Sequence, residues 1–391
     1  MEQRRNLVVL ALVLCLTARP GQAITPSRFV PGQHGSGRLE MVGNFPVATI
    51  AGSPEAMGEQ LGVLLKQPIT EIVGYQDQFA RGLGLGNSTS HLRSGLARLA
   101  GAMSGAFPDN QRRELEAIAK TAGVDTNLLS LGNIMYEMSQ FPACSTVGVE
   151  PSRSDTGGTL LGRNLDFPTF GFLDRYSLVV VYRPKDKHAF ASLSFPGFVG
   201  VASGMNEAGL CVAQLEVNRS AEPAPRMQFG GTPVAMCFRR LLEECSTIDE
   251  AEKLLGEQKR LIMCNLAVCD RHGAAVLEIT PKRIVRRPAE NGLAICTNHF
   301  RTPQLCVGKQ CWRFERLQAG EKLDRLSIGA VGKLLNSVNQ GERTIQTMIF
   351  EPAKQRVHLS LGPAPASAQP LKSVDLKQSF AGPKEAGSDD D

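Results

Sequence analysis

Hydrophobic spacing changes character at residue 144, so the chain has to combine helices with sheet. Before it, Leu61, Leu64, Leu65 and Ile69, then Leu96, Leu99 and Met103, then Leu115, Ile118 and Ala119 recur at the spacing of a helix face. Residues 41 to 51 read as a short strand. Ser53-Pro54 then opens a helix, with serine as its cap and proline in its first turn. After Cys144 the apolar residues fall into short runs punctuated by Gly, Pro and Asp. These are Leu160 to Leu165, Leu178 to Tyr182, Ala189 to Phe195, Phe198 to Ala202 and Gly209 to Val217, all read as strands. Helices return at Pro233 to Glu244 and after Thr247, whose Glu250 three residues on completes a capping-box pattern. Strands at Ile262 to Val268, Ala274 to Ile279 and Leu293 to Thr297 follow. Helices at Cys311 to Leu323 and Ile328 to Val338 precede a hairpin at Thr344 to Leu361. Such an order suits an α+β fold in which antiparallel sheets are covered by helices on both outer faces.

The first residues read as an address. Arg4 and Arg5 precede the apolar run Leu7 to Thr17, and Gly21-Gln22-Ala23 supplies small residues for cleavage. Residues 1–23 are therefore expected to be a signal peptide, with the exported protein, secreted or otherwise, starting at Ile24. No later stretch is long and apolar enough to span a bilayer. Loss of residues 1–23 lowers the formal charge from +5 to +3, too mild a surplus to call for nucleic acid. Of the ten cysteines, nine remain after that loss, and export permits disulfides. Cys264/Cys269 and Cys306/Cys311 are close in sequence, but spacing does not give connectivity, and the odd count leaves at least one free thiol, for which Cys144 is the candidate. No CxxC occurs and the six histidines do not cluster at ligand spacing, so neither metal nor cofactor is expected.

Cys144 carries the chemistry. Phe141-Pro142-Ala143-Cys144-Ser145 opens a strand, and Gly162-Arg163-Asn164-Leu165-Asp166 follows about one hairpin later. A cysteine that becomes a new N-terminus brings its own base, because an α-amine titrates near ~8 and can take the thiol proton. An Asp near that amine would orient it, and a nearby Arg would favour the thiolate. This layout resembles the N-terminal-nucleophile hydrolases of the isopenicillin-N acyltransferase-like, choloylglycine hydrolase and acid ceramidase group. The resemblance implies an αββα four-layer sandwich, two antiparallel sheets between helical layers. It also implies self-cleavage between Ala143 and Cys144.

On that basis residues 24–143 are expected to form a helical prodomain that stays associated as an α chain. Residues 144–361 would be the catalytic β chain, and 362–391 a disordered tail rich in Pro, Ala and Ser with a terminal Asp run. Arg163 and Asp166 belong to the family's catalytic constellation. Gly204-Met205-Asn206-Glu207-Ala208-Gly209 reads as a hairpin turn, with Asn206 structural, and it serves as a ruler that places the family's oxyanion residue at Glu216. Glu there resembles acid ceramidase and the acylethanolamine amidases, where bile-salt hydrolases have Asn; the backbone N–H can act as donor in either case. Asn298, in Cys296-Thr297-Asn298-His299, is the implied side-chain oxyanion donor, and Arg313 matches the family's distal Arg, with Lys309 as substitute.

The expected activity is hydrolysis of a linear amide in a small-molecule N-acyl amide with a lipid-like or aromatic acyl group, through an acyl-enzyme. An amine acceptor in place of water would make it an acyltransferase. Phe170 and Phe172, which follow Phe167, and Phe195 and Phe198, which flank a Pro-Gly turn, are the candidate substrate-binding residues, although such clusters also build cores. Two rivals stand beside this reading. One is a papain-like peptidase with a Cys144–His299 dyad, although a papain-like nucleophile sits at a helix N-terminus and Cys144 begins a strand. The other is a non-catalytic exported binding protein.

Overall fold

The computed structural model describes residues 29–82, 95, 98, 100–138, 143–223, 225–308 and 310–382. The expected signal peptide and Lys309 lie outside the described residues. Strands are numbered in chain order: β1 (Gly32–His34), β2 (Gly37–Val42), β3 (Phe45–Gly52), β4 (Ser145–Val149), β5 (Leu160–Asp166), β6 (Leu178–Pro184), β7 (Phe190–Ser194) and β8 (Ser203–Asn206). The rest are β9 (Cys211–Glu216), β10 (Cys264–Cys269), β11 (Ala274–Ile279), β12 (Ile284–Pro288), β13 (Leu293–Cys296), β14 (Thr344–Glu351), β15 (Arg356–Ser360) and β16 (Lys372–Asp375). Ten form one sheet in the order β1-β2-β3-β6-β7-β8-β9-β10-β11-β12. Six form the other, in the order β13-β4-β5-β14-β15-β16.

Side-chain alternation along these strands builds four layers. The inner faces meet in a core containing Cys144, Leu161, Leu165, Leu193, Met205, Leu215, Met348 and Phe350. The outer face of the ten-stranded sheet is covered by the helices Pro54–Leu64, Lys66–Gly82, Asp109–Ala122, Thr126–Met138, Val234–Glu244 and Ile248–Gly256. That of the six-stranded sheet is covered by Trp312–Leu317 and Ile328–Ser337. The αββα architecture is therefore as expected. Both sequence caps are made as read: Ser53 Oγ accepts from the Ala56 N–H at 3.2 Å and Thr247 Oγ1 from the Glu250 N–H at 3.2 Å.

The structure corrects three expectations and answers one question that the cysteine spacing left open. The segment before Cys144, expected to be helical apart from one short strand at residues 41 to 51, supplies three strands, β1, β2 and β3, which extend the larger sheet, and β3 pairs with β6 in parallel register, Val47 opposite Val179. A sheet expected to be all antiparallel thus carries one parallel junction among the described residues, and that junction joins the two parts of the expected precursor. Phe198 to Ala202 is not a strand. Its backbone is spent elsewhere, the Val201 N–H donating to the Ala235 carbonyl at 2.8 Å while the Ala202 carbonyl accepts from the Gln214 N–H at 2.9 Å. The disordered tail does not begin at residue 362. Four apolar residues in that polar stretch, Ala366, Val374, Leu376 and Phe380, are buried, and β16 closes the edge of the smaller sheet against β15. Finally, Cys264 and Cys269 end the same strand. Five residues of extended chain hold them roughly 16 Å apart, far beyond disulfide reach, and all nine described cysteines are free thiols.

A buried ion network ties the first segment to the rest. Arg239, on the helix Val234–Glu244, donates to Glu114 at 2.5 and 2.9 Å and to Glu243 at 2.7 Å, all three being essentially inaccessible. The guanidinium also lies 4.6 Å from the Tyr182 ring centroid. The backbone of the Glu114 helix comes close to its neighbour because Gly58 has no Cβ, which would stand 2.3 Å from the Glu114 carbonyl oxygen. Removing one member strands buried carboxylates, so Arg239→Met is expected to destabilise the fold by about 3–5 kcal/mol. Thermal unfolding monitored by circular dichroism measures it, and an unchanged Tm would mean that the network contributes nothing.

Candidate active site

Pairing in the six-stranded sheet brings the sequence candidates together. Cys144 immediately precedes β4, which pairs with β5 (Thr146 opposite Arg163) and with β13 (Thr146 opposite Cys296), while β14 begins opposite the end of β5 (Thr344 opposite Asp166). One end of the sheet therefore carries Cys144, Asp166, Asn298 just past β13, and Thr344. Along β5 the alternate residues Leu161, Arg163 and Leu165 point into the layer between the sheets. Asn164 points the other way and donates to the Leu335 carbonyl at 2.8 Å. Gly162 shares that outward face, where a Cβ would meet Val331 Cγ1 at 2.6 Å, so the glycine of Gly162-Arg163-Asn164-Leu165-Asp166 lets the helix Ile328–Ser337 sit down.

Arg163 is fully buried, and its Nη2 stands 3.5 Å from Cys144 Sγ while Nη1 donates to the Ala202 carbonyl. Asp166 Oδ1 accepts from the Thr344 hydroxyl, and Oδ2 is buried with no hydrogen-bond partner among the described residues. Burial pushes the Asp166 carboxyl up to about 7, against the Thr344 hydrogen bond and the charges of Arg313, Arg163 and Arg343. Arg313 makes the most informative contacts. Its Nη1 donates to the carbonyl oxygens of Ala143 and, at 2.6 Å, of Cys144, and both terminal nitrogens reach Asn298 Oδ1 at 3.2 Å. With its oxygen held there, Asn298 turns Nδ2 toward the Glu216 carbonyl, 3.0 Å away, and keeps a second amide hydrogen available. Glu216 is thus joined to the site through its backbone, its carboxylate pairing with Arg226 at 2.8 Å.

His299 does not join Cys144. Its ring contacts Thr297 Oγ1 and Arg301 Nη1, each at 3.2 Å, and burial, with Arg301, Arg313 and Arg287, pushes it down to about 4. Neither those contacts nor that basicity suit a dyad. Burial pushes the thiols of Cys245 and Cys296 up to about 12, which keeps those two protonated and unreactive.

The phenylalanines divide. Phe195 packs against the inter-sheet core that includes Cys144, as does Phe167, whose ring meets Phe170 edge-on at 6.1 Å. Phe172 stacks on Tyr75 at 4.0 Å, and Phe198 lies by Gly200. A cavity of about 590 Å³ opens beside Asn298, and none of the four candidate phenylalanines lines it.

Two partners escaped the sequence. Thr344 was legible only as a strand start. Glu137, six residues before Ala143, has its Oε1 accepting from the Ala235 N–H at 2.8 Å in the first turn of Val234–Glu244, where Pro233 offers no side-chain cap. Burial pushes that carboxyl up to about 8. No signal in the sequence distinguishes either.

The raised Asp166 value has a sign that can be tested. A carboxyl whose folded value exceeds its unfolded one favours the fold fully below the usual carboxylate range and loses that contribution as pH rises to about 7. In a Cys144→Ala background, Asp166→Asn is expected to narrow the difference in Tm between pH 5 and pH 8 by several degrees. Glu137 keeps some of the slope. Parallel Tm–pH curves for the two proteins would contradict the assignment.

Residues 153–323 match the family model for acyl-coenzyme A:6-aminopenicillanic acid acyl-transferase. Over that segment, less than half of its length, the chain is similar to this family. The match takes in Arg163, Asp166, Glu216, Asn298 and Arg313, with Cys144 just ahead of it, and agrees with the isopenicillin-N acyltransferase-like resemblance read from the sequence. A curated relative from Archaeoglobus fulgidus, an uncharacterized protein, is 24% identical over 371 residues, covering 79% of this chain; the chain spans only 60% of that relative's length. Among solved structures, a variant of conjugated bile acid hydrolase from Clostridium perfringens aligns with TM-score 0.45 and 15% identity, over 59% of this chain and 92% of that one. Penicillin V acylase from Agrobacterium tumefaciens gives 0.44 and 16%, over 60% and 86%. The Caenorhabditis elegans ortholog of N-acylethanolamine-hydrolyzing acid amidase gives 0.42 and 16%, over 59% and 100%.

Proposed function

We propose that this protein is an exported cysteine amidohydrolase of the N-terminal-nucleophile type, which cleaves itself between Ala143 and Cys144 and then cleaves the linear C–N bond of an N-acyl amide. The observation that carries the reading is Arg313, which grips the carbonyls on both sides of Cys144 together with Asn298, while Arg163 faces the sulfur. In self-cleavage the Cys144 thiol gives up its proton and the sulfur attacks the Ala143 carbonyl carbon. Negative charge then collects on an oxygen already held by Arg313. The Ala143–Cys144 C–N bond breaks, the nitrogen takes a proton and becomes the new α-amine, and water hydrolyses the thioester to free the thiol.

The same groups then serve a substrate. The α-amine, oriented by Asp166, takes the thiol proton; Cys144 forms the acyl-enzyme; the spare Asn298 amide hydrogen and the Glu216 N–H hold the oxyanion. The amine leaves with the α-amine's proton and water releases the acid. The family's description as an acyl-transferase favours a second outcome, in which an added amine takes the acyl group in place of water. Intact mass and product analysis with and without a primary amine test both.

For the acyl group we propose a lipid-like or aromatic chain, received where Phe167 and Phe195 border the layer that holds Cys144. Each buried methylene is worth about 0.8 kcal/mol, so kcat/KM is expected to rise about fourfold per methylene from acetyl upward until the pocket fills. Measurement across N-acyl amides up to palmitoyl reads this directly. A flat series, or a preference for short peptides, would remove the acyl pocket.

A further inference from the structure

Arg163 reaches Cys144 Sγ with Nη2 while its Nη1 donates to the Ala202 carbonyl, so the place of that carbonyl helps to set the place of the guanidinium. Ala202 ends the loop that joins β7 to β8, and the helices over the larger sheet hold this loop. Asn133, on the helix Thr126–Met138, donates from Nδ2 to the Gly197 carbonyl at 2.9 Å and accepts from the Val199 N–H with Oδ1 at 2.9 Å. Its second amide hydrogen goes to the Leu129 carbonyl one turn back at 3.0 Å, so the side chain cannot turn without breaking all three bonds. Glu137 lies one turn further along the same helix. It accepts from the Ala235 N–H at 2.8 Å, and the Ala235 carbonyl accepts from the Val201 N–H at 2.8 Å. Gly197 has φ +82°, and a Cβ on it would stand 2.6 Å from Leu129 Cδ1, so the loop lies directly on this helix. Asn133 and Glu137 are 2% and 1% exposed. Burying an amide and a carboxyl is costly unless they are bonded, and the bonds they make outside their own helix go to this loop and to the helix that supports it.

We infer that Asn133 and Glu137 are positioning residues for the Cys144 site: their helix sets the loop from Gly197 to Ala202, and the loop sets Arg163 against the sulfur. The inference rests on the reading of Cys144 as the nucleophile and goes beyond it in one respect. The smaller product of the proposed cut does more than stay bound, for its last described helix holds in place a group that touches the sulfur on the larger product. The path is short. From Asn133 it runs through the Val199 N–H and three residues of loop to Ala202; from Glu137 it runs through Ala235 and Val201 to the same residue. Arg239 braces the loop from the helix Val234–Glu244, its Nη1 donating to the Val199 carbonyl at 3.0 Å. Two side chains of one helix thus converge on one carbonyl, and the loss of either should displace it.

The test uses processed protein, in which the Ala143–Cys144 bond no longer fills the site. Two quantities are read beside Tm: kcat and KM for N-octanoylethanolamine, and the rates at which iodoacetate and iodoacetamide alkylate Cys144, followed by mass on the peptide that begins there. Asn133→Ala is expected to lower kcat about 10- to 100-fold, the usual cost of a small misplacement in a site, with KM little changed. It should also lower the iodoacetate-to-iodoacetamide rate ratio by about threefold or more, because the anionic reagent loses the guanidinium that draws it to the sulfur. Glu137→Met should act in the same direction, and Glu137→Gln, which keeps an acceptor for the Ala235 N–H, should recover most of that loss. Asn133→Asp keeps the size of the side chain but turns an oxygen toward the Gly197 carbonyl; it should show a smaller form of the same effect, and it decides the matter if Asn133→Ala does not fold. Ile118→Ala, in the core of a neighbouring helix, is the control for lost stability and should lower Tm with the ratio unchanged. A wild-type ratio in the Asn133 and Glu137 variants, losses of kcat that merely follow Tm as in Ile118→Ala, or faster alkylation by both reagents alike would overturn the inference. The two readings fail separately. A wild type that hydrolyses no N-acyl amide loses the amidase assignment, while alkylation still reports on Arg163; an active wild type whose ratio does not respond to Asn133 loses only the positioning role.

Discussion

Cys144→Ala is expected to leave one uncut chain with amidase activity at background, while the wild type resolves into two chains that copurify. The smaller wild-type product, counted from Ile24 to Ala143, should weigh about 13 kDa at roughly 110 Da per residue. The sulfur has no substitute. Cys144 is the thiol that the Arg163 guanidinium faces at 3.5 Å, and His299 is tied to Thr297 and Arg301. Cleavage should not separate the products, because β3 pairs with β6 along six residues and Arg239 is locked to Glu114 across the cut. His299→Ala serves as the control and should process at close to the wild-type rate. Intact mass spectrometry before and after size exclusion gives all three results. An active wild type with a single, uncleaved mass would sink the mechanism, and loss of activity in His299→Ala with processing intact would point to the dyad instead.

What the sequence revealed was local. A strand that must present Arg163 inward and Gly162 outward announces itself by alternation, and a helix that needs Ser53 or Thr247 as its cap announces itself by one residue. Of the six candidate residues, Cys144, Arg163, Asp166 and Asn298 lie in or beside three short strings that the pairing of β4, β5 and β13 brings to one place, whereas Glu216 stands on the other sheet and Arg313 on a helix. Partnerships made at long range were not legible. Glu114 and Arg239 look like solvent-facing charges on two helices, since nothing local says that each buries the other. The parallel β3–β6 junction joins residues on either side of the proposed cut, and period-two alternation cannot name a partner. Residues 362 to 382 misled for the opposite reason: composition registered a stretch rich in proline and alanine, whereas four buried residues, Ala366, Val374, Leu376 and Phe380, decide the packing.

Arg313→Ala is expected to slow self-cleavage by about 10²–10³-fold, the usual cost of losing a donor to a developing oxyanion. Before any chemistry, one Arg313 nitrogen already donates to the carbonyl of the bond to be cut, and charge forming on that oxygen strengthens the contact as the transition state is approached. The residue also fixes Asn298 through its oxygen, so the two should not act independently. Asn298→Ala in an Arg313→Ala background should therefore cost less than it does alone. Arg313→Lys offers a single ammonium where a planar fork now spans three acceptors, and it should restore only part of the rate. The assay is the appearance of the two chains by mass after rapid dilution of freshly folded precursor, read beside Tm. A purely structural Arg313 would lower Tm and lose rate in proportion, with full additivity toward Asn298. A slow, normally stable precursor with non-additive losses assigns Arg313 to the oxyanion, and wild-type processing by Arg313→Ala would remove it from the mechanism.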